Sequence, residues 1–318
     1  MPRDYHRNHV ASASYLAGFA NCTGELCAVE TTEGTSRLGR PRTMGYRPAF
    51  WGKDREVRER AERWLSTIEN DIPSAVSRLI ADGVPEPGSE HRLALMLLMA
   101  IHGVRSPATR ANVLAVQQHA IAEHADKYRS GITEAQYGKL LARWTSDSFV
   151  AQLMLGHVSK LASFLGSMHW TLVEFDASLL ATSDQPMVLV PMSDATALAD
   201  TLEGRFAVGP RHALILAWAD IPDGEQTVAG DDALAAHLNR AVIAQADTQW
   251  FHHPERRPVR SIATDLKDLT LVPVAERIHD GYDEDEARMS QRRRQAVANV
   301  EELIERQEPG LIKSVSVS

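Results

Sequence analysis

The chain has 318 residues, 44% hydrophobic and 24% charged, an ordinary globular balance with material for one large core or two modest ones. A formal net charge of −8 excludes wholesale electrostatic attraction to nucleic acid, although it leaves a local basic groove open. The two cysteines, Cys22 and Cys27, are too few for a disulfide framework and lack the further ligands of a zinc knuckle, which leaves reduced thiols near a turn.

The opening MPRDYHRNH has no apolar stretch of the signal-peptide kind, and no run approaches the ~18 apolar residues needed to cross a bilayer. The expectation is a cytoplasmic protein with no membrane partner. Residues 1–50 show little regularity: Tyr15, Leu16 and Phe19 form an apolar patch, Leu26 to Val29 suits one strand of a small hairpin, and Gly34 to Gly45 reads as an exposed loop. From Lys53 the pattern is helical. Val57, Ala61, Trp64, Leu65, Ile68 and Ile72 recur at three- and four-residue intervals, and Pro73 is expected to kink or break that stripe. Further helices are predicted over 89–104, from Pro107 to about Arg129, after a capping box at Thr133 and Gln136, and over 146–167.

Beyond residue 167 short runs of period two replace the helical period, at 170–175, 179–181, 187–190, 206–208 and 213–218. A helix returns over about 231–249, and the charged tail is expected to be helical over 286–307. Its run Arg292-Arg293-Arg294 reads as a solvated face. Helices first and a small, mostly antiparallel sheet afterwards, then C-terminal helices, predict an α+β fold. One domain is expected over 1–260 (helical part 53–167, sheet 168–220, helix 231–250), with 261–318 as an extension.

Several chemistries lack their motifs. There is no G-x-G-x-x-G, no Walker A loop, no G-x-S-x-G elbow, no His-Glu-x-x-His helix and no Glu-x-x-His pair in the helical block. His119 and Glu123 share a helical face, but His124 lies about 100° away, so an exposed charged pair is the simpler account. His252-His253-Pro254 suits a turn. The polar residues less easily explained by packing are His6 and His9 before the first apolar patch, Glu69 beside a buried helical stripe, and Arg105 and Arg110 around Pro107. To these is added Thr182-Ser183-Asp184-Gln185-Pro186 between strands. Histidine can shuttle a proton, guanidinium groups hold phosphate or carboxylate, and an Asp at a strand edge can act as a base or hold a cation. The bland role for Arg105 is an ion pair with Glu69.

The same positions carry a resemblance. His9-Val10-Ala11-Ser12-Ala13-Ser14-Tyr15-Leu16-Ala17-Gly18-Phe19 resembles an opening motif of form H-Y-V-P-x-x-Y-L-x-x-F, and Ile68-Glu69 the I-E of a first helix. His102 to Pro107 is similar to an Arg-x-Pro step, and Trp170 with Thr182 to Pro186 to a W…T-S-D-N-P signature. Phe206 to Pro210 resembles an F-P-L-S-P segment, followed by the helical Asn239. Together, over about 6–260, they resemble the bacterial family catalogued as domain of unknown function 4238. Ser12, Gln185, Ala207 and Gly209 depart from its pattern. The resemblance implies a bacterial cytoplasmic protein, in a family linked to phage defence, with no settled reaction.

Three functions follow as expectations. The first is a metal-assisted hydrolase or nuclease-like effector with His9, Glu69 and Asp184 catalytic, a divalent cation bound, and Arg105, Arg110, Ser183 and Asn239 contacting a nucleic acid or small-molecule substrate. The second is a non-catalytic sensor or binding protein in which the same residues form a buried network. The third is a small-molecule tailoring enzyme with a pocket walled by Trp170 or Trp218.

Overall fold

The computed structural model describes residues 7–123, 131, 133–191, 201–218, 225–255, 274, 291–292, 294–296 and 298. The fold is α+β, as the pattern of periods predicted. The N-terminal segment is more regular than its sequence. β1 (Arg7–His9) pairs antiparallel with β4 (Tyr46–Pro48), placing His9 opposite Tyr46. The Ser12 hydroxyl accepts the Tyr15 amide to start α1 (Ala13–Ala17). β2 (Leu26–Glu30) pairs with β3 (Ser36–Gly39), which corrects the expected open loop from Gly34 onward. β3 shows no alternation because it is largely solvent-exposed and owes its form to pairing with β2.

The described residues of 53–167 form the expected helical block. Asp54 caps α2 (Arg55–Glu69), and α3 (Ile72–Asp82) is a separate helix with Pro73 in its first turn, where a missing N–H costs nothing. Ser89 caps α4 (Glu90–Val104), Pro107 opens α5 (Pro107–Glu123), and the Thr133–Gln136 box opens α6 (Glu134–Trp144). α7 (Asp147–Gly166) is long and apolar enough by composition to cross a membrane. Here it packs along α4, burying Val150, Met154, Val158, Leu161 and Leu165. A Cβ on Gly103 would lie 2.7 Å from Leu161 Cδ2 and would push that side chain aside.

The sheet is wider than expected. A five-stranded sheet runs β10-β5-β9-β8-β7, from β5 (His169–Glu174), β7 (Val188–Pro191), β8 (Thr201–Gly209), β9 (His212–Ala217) and β10 (Gln226–Ala229). It is antiparallel except where β10 runs parallel to β5. A four-stranded sheet runs β3-β2-β11-β6, uniting the N-terminal hairpin with β6 (Ala181–Ser183) and β11 (Gln249–His252). The predicted helix over 231–249 therefore ends early, as α8 (Asp232–Ala244). Most of the 261–318 extension, including much of the expected helix over 286–307, lies outside the described residues. Its described members Val274 and Ala296 are buried, and the Val274 amide donates to Glu203 at 2.8 Å.

The helical block meets the first strands through a buried histidine. His102 Nδ1–H donates to the Leu98 carbonyl (2.8 Å), and Nε2 accepts the Ser12 amide (3.2 Å), so the ring is neutral. Its ring lies against Tyr15 and Phe206. Burial pushes its pKa down to about 4. In the unfolded chain the ring titrates near 6.5, so this group stabilises the fold above that pH and loses its contribution as pH falls toward 4. Urea titrations are expected to show about 3 kcal/mol lost by pH 4 through this residue. A folded His102→Asn variant should flatten that dependence; an equally steep one would refute the assignment.

Candidate functional site

Pro107 disfavours helical backbone just before it, and α4 stops at Val104. Arg105, at the break, is only 2% exposed, and its guanidinium reaches across to α2. Nη1 donates to Glu69 Oε1 and Nη2 to Glu62 Oε1, both at 3.1 Å. Glu62 and Glu69 are seven residues apart, two helical turns, and so share one face of α2. Glu62 Oε1 also accepts Trp51 Nε1 (3.0 Å) and Asn8 Nδ2 (3.1 Å). The turn carrying Trp51 is fixed from α2, where buried Arg58 donates to the Gly52 and Lys53 carbonyls. Gly52 has φ +100°, with Asp147 packed where a Cβ would stand.

His9 completes the group. One ring nitrogen bonds the Arg42 carbonyl, while Nε2 is buried with no hydrogen-bond partner. Nδ1 therefore carries the proton and Nε2 a free lone pair. Burial lowers the His9 pKa, Arg105 lowers it further, and Glu62 opposes both. Burial raises the Glu69 pKa; Arg105 pulls it down and Glu62 pushes it up. Arg105 Nε is also buried and unpartnered. The cluster thus holds an unused acceptor on His9, an unused donor on Arg105 and a carboxylate, Glu69, whose pKa is raised by burial. Glu62 and Glu69 keep about a fifth of their side-chain surface exposed, so the carboxylate edge of the cluster meets solvent while His9 Nε2 and Arg105 Nε are covered.

Of the residues expected from sequence, the structure brings together His9, Glu69 and Arg105. Glu62, Trp51 and Asn8 were missed; the signal available was the seven-residue spacing of Glu62 and Glu69. Asp184 does not join them. Its carboxylate accepts the amides of Asp247 and Thr248 and the Thr248 hydroxyl at 2.8 Å, and the Gln249 amide at 3.2 Å. It pins the end of β6 to the turn before β11. Ser183 accepts the Gln185 amide within its own turn. Asn239 accepts the Ala181 amide (2.7 Å) and donates to Leu179 (2.8 Å), docking α8 on β6. Arg110 pairs with Asp147. Asp184, Ser183 and Asn239 hold backbone, because turns and strand ends leave amides and carbonyls that side chains must satisfy. Replacing Asp184 by Ala is expected to cost about 2–3 kcal/mol in chemical denaturation, from the buried donors left unpaired. A loss below about 0.5 kcal/mol would contradict this role.

The expected cation does not fit this donor set. Arg105 supplies the positive charge between the two carboxylates, and Glu62 Oε1 already accepts three hydrogen bonds. Among the described residues, no three His, Cys, Asp or Glu side chains are grouped to hold a metal. His119 lies on an exposed stretch of α5, whereas His6, His124 and the Glu123 side chain lie outside the described residues. Trp170 and Trp218 are interior: Trp170 Nε1 donates to Leu165, the Arg92 guanidinium covers its ring at 3.7 Å, and Trp218 packs on Phe164. Neither ring is exposed enough to wall an open pocket.

The Tyr15 hydroxyl bonds Thr182 (2.7 Å) and the Ala207 carbonyl (2.6 Å), joining three of the segments that carried the resemblance. No curated protein and no solved structure matches the chain. The model of a family described as protein of unknown function (DUF4238) matches residues 7–256, a span that takes in every element from β1 to β11, and the chain belongs to that family.

Proposed function

We propose that the chain is a hydrolase of phosphate diesters whose acid–base chemistry is carried by His9, Arg105 and Glu69. The observation that carries this reading is the free, buried Nε2 of His9 beside a guanidinium that bridges two carboxylates. His9, held neutral at pH 7, takes a proton from water as the water oxygen attacks phosphorus. Arg105 steadies the charge growing on the phosphoryl oxygens. Glu69, whose pKa is raised by burial, gives a proton to the departing oxygen as the P–O bond breaks. His9 then releases its proton to solvent and Glu69 regains one. Glu62 positions Arg105 and is itself positioned by Trp51 and Asn8.

The test is incubation of the purified full chain with single- and double-stranded RNA and DNA, with Mg²⁺, with Mn²⁺ and with chelator. Cleavage that survives chelator and disappears in folded His9→Gln is the expected result. No cleavage under any condition, or cleavage unchanged in folded His9→Gln, would defeat the reading. The first of these results, no cleavage, would favour a non-catalytic binding protein, which the pairing of both terminal nitrogens of Arg105 also suits.

A further inference from the structure

Although the chain is acidic, one stretch is not. Between Glu33 and Asp54 there is no carboxylate, while Arg37, Arg40, Arg42, Arg47 and Lys53 all fall there. Arg47 pairs with Asp247. Arg37, Arg40 and Arg42 are exposed and make no ion pair among the described residues. They are not scattered. A short 3₁₀ helix (Pro41–Thr43), anchored by buried Pro41, faces α1 across an open groove of about 880 Å³. Arg40, Arg42 and Thr43 line one wall, and Ser14, Asn21 and Thr23 the other. Glu25, bonded to the Thr23 hydroxyl at 3.1 Å, is the carboxylate near its rim.

The groove is tied to the cluster through one residue. Arg42 lines the groove, and its backbone carbonyl accepts the hydrogen bond that orients His9. Arg105 and Arg110, the arginines expected to contact substrate, both pair with carboxylates. Positive charge without an ion pair among the described residues lies instead along the groove, which meets the cluster at Arg42.

We propose that this groove binds the sugar–phosphate backbone of a single-stranded nucleic acid and leads it to His9, an inference that rests on the hydrolase reading above and names its substrate. The chemistry matches. Unpaired guanidinium groups supply paired donors for phosphate oxygens, and hydroxyl and amide groups opposite can meet a sugar. A volume near 880 Å³ lies within the range of ligand clefts, about 300–1,000 Å³. Guanidinium planes and the apolar wall of Ala13, Ala17 and Pro41 also suit the face of an unstacked base, which a duplex does not present.

The experiment is fluorescence anisotropy with labelled 12-residue oligo(U), oligo(dT) and a matched duplex. The full chain would carry His9→Gln throughout, so that binding is read without cleavage. Arg40→Ser with Arg42→Ser is expected to weaken single-strand binding at least tenfold. The slope of log affinity against log salt should fall by about 1.4, at about 0.7 per lost phosphate contact. Arg143→Ser, an exposed arginine on α6, should change neither. Preference for oligo(U) over oligo(dT), or the reverse, identifies which sugar the groove accepts. Duplex bound as tightly as single strands, no binding at all, or an unchanged affinity and salt slope in the double variant would overturn the proposal. Arginine-dependent binding by a chain whose wild type never cleaves would sustain the groove and defeat the hydrolase reading. Cleavage indifferent to the double variant would do the reverse.

Discussion

Replacing Arg105 by Met is expected to lower stability by about 3–5 kcal/mol, the scale for removing one partner of a buried ion pair. Methionine keeps much of the side-chain volume, so the loss measures charge rather than a cavity. Without the guanidinium, Glu62 and Glu69 face each other on one side of α2, and the buried Asn8 and Trp51 donors remain committed to Glu62. The loss should itself depend on pH. Glu69 already binds its proton more tightly in the fold than in the unfolded chain, and Arg105 is the group that restrains this. Freed of it, Glu69 titrates higher still. A folded pKa raised in this way contributes stability below the unfolded value, near 4.5, and loses it as pH rises through the folded value. Urea denaturation should therefore show a smaller deficit at pH 5 than at pH 8. A deficit under 1 kcal/mol at both would show the pairs to be surface decoration.

His9→Gln is expected to cost 10²- to 10⁴-fold in turnover, the usual worth of a positioned general base. Glutamine can still reach the Arg42 carbonyl, so the fold should survive while the proton acceptor is lost. The pH profile is the sharper readout. His9 acts as a base only when neutral, which places the acid limb below 6.5, because burial and Arg105 depress its pKa. Glu69 acts as an acid only when protonated, which places the alkaline limb above 4.5, because burial raises its pKa. The wild type should give a bell, and Glu69→Gln should be slower and lose the alkaline limb. A profile whose alkaline limb survives in Glu69→Gln would remove that residue from the reaction.

How far the sequence could be read differs by element. The helical block was legible because apolar stripes repeat locally: Thr133 with Gln136, and Pro107 at a helix start, need no distant partner. Arg105 with Glu69 was legible as a pair because both interrupt an otherwise regular apolar pattern. Glu62 was not, since it sits among Arg55, Glu56, Arg58, Glu59, Arg60 and Arg63, a run that looks like a solvated helical face. Its environment is made by Asn8 and Trp51, 54 and 11 residues earlier in the chain. β3, β10 and β11 were missed for a related reason. Gln249-Trp250-Phe251-His252 is too short to display a period and is a strand because β2 and β6 lie on either side of it. Asp184, by contrast, was legible as unusual but its partners were not, because a carboxylate gathering backbone amides and one gathering a cation look alike in sequence.

The strand order β3-β2-β11-β6 also bears on when the molecule becomes whole. α1 follows His9 after three residues, and the Tyr15 hydroxyl on that helix waits for partners 167 and 192 residues further along. β2 gains its second neighbour only at residues 249–252. A chain emerging from the ribosome thus has its beginning unfinished until nearly all of the family-matched segment has been made. Closing such long loops is the slow part of folding. The strand that carries His9 is the exception, since its partner β4 lies within the first 48 residues and can close on it early.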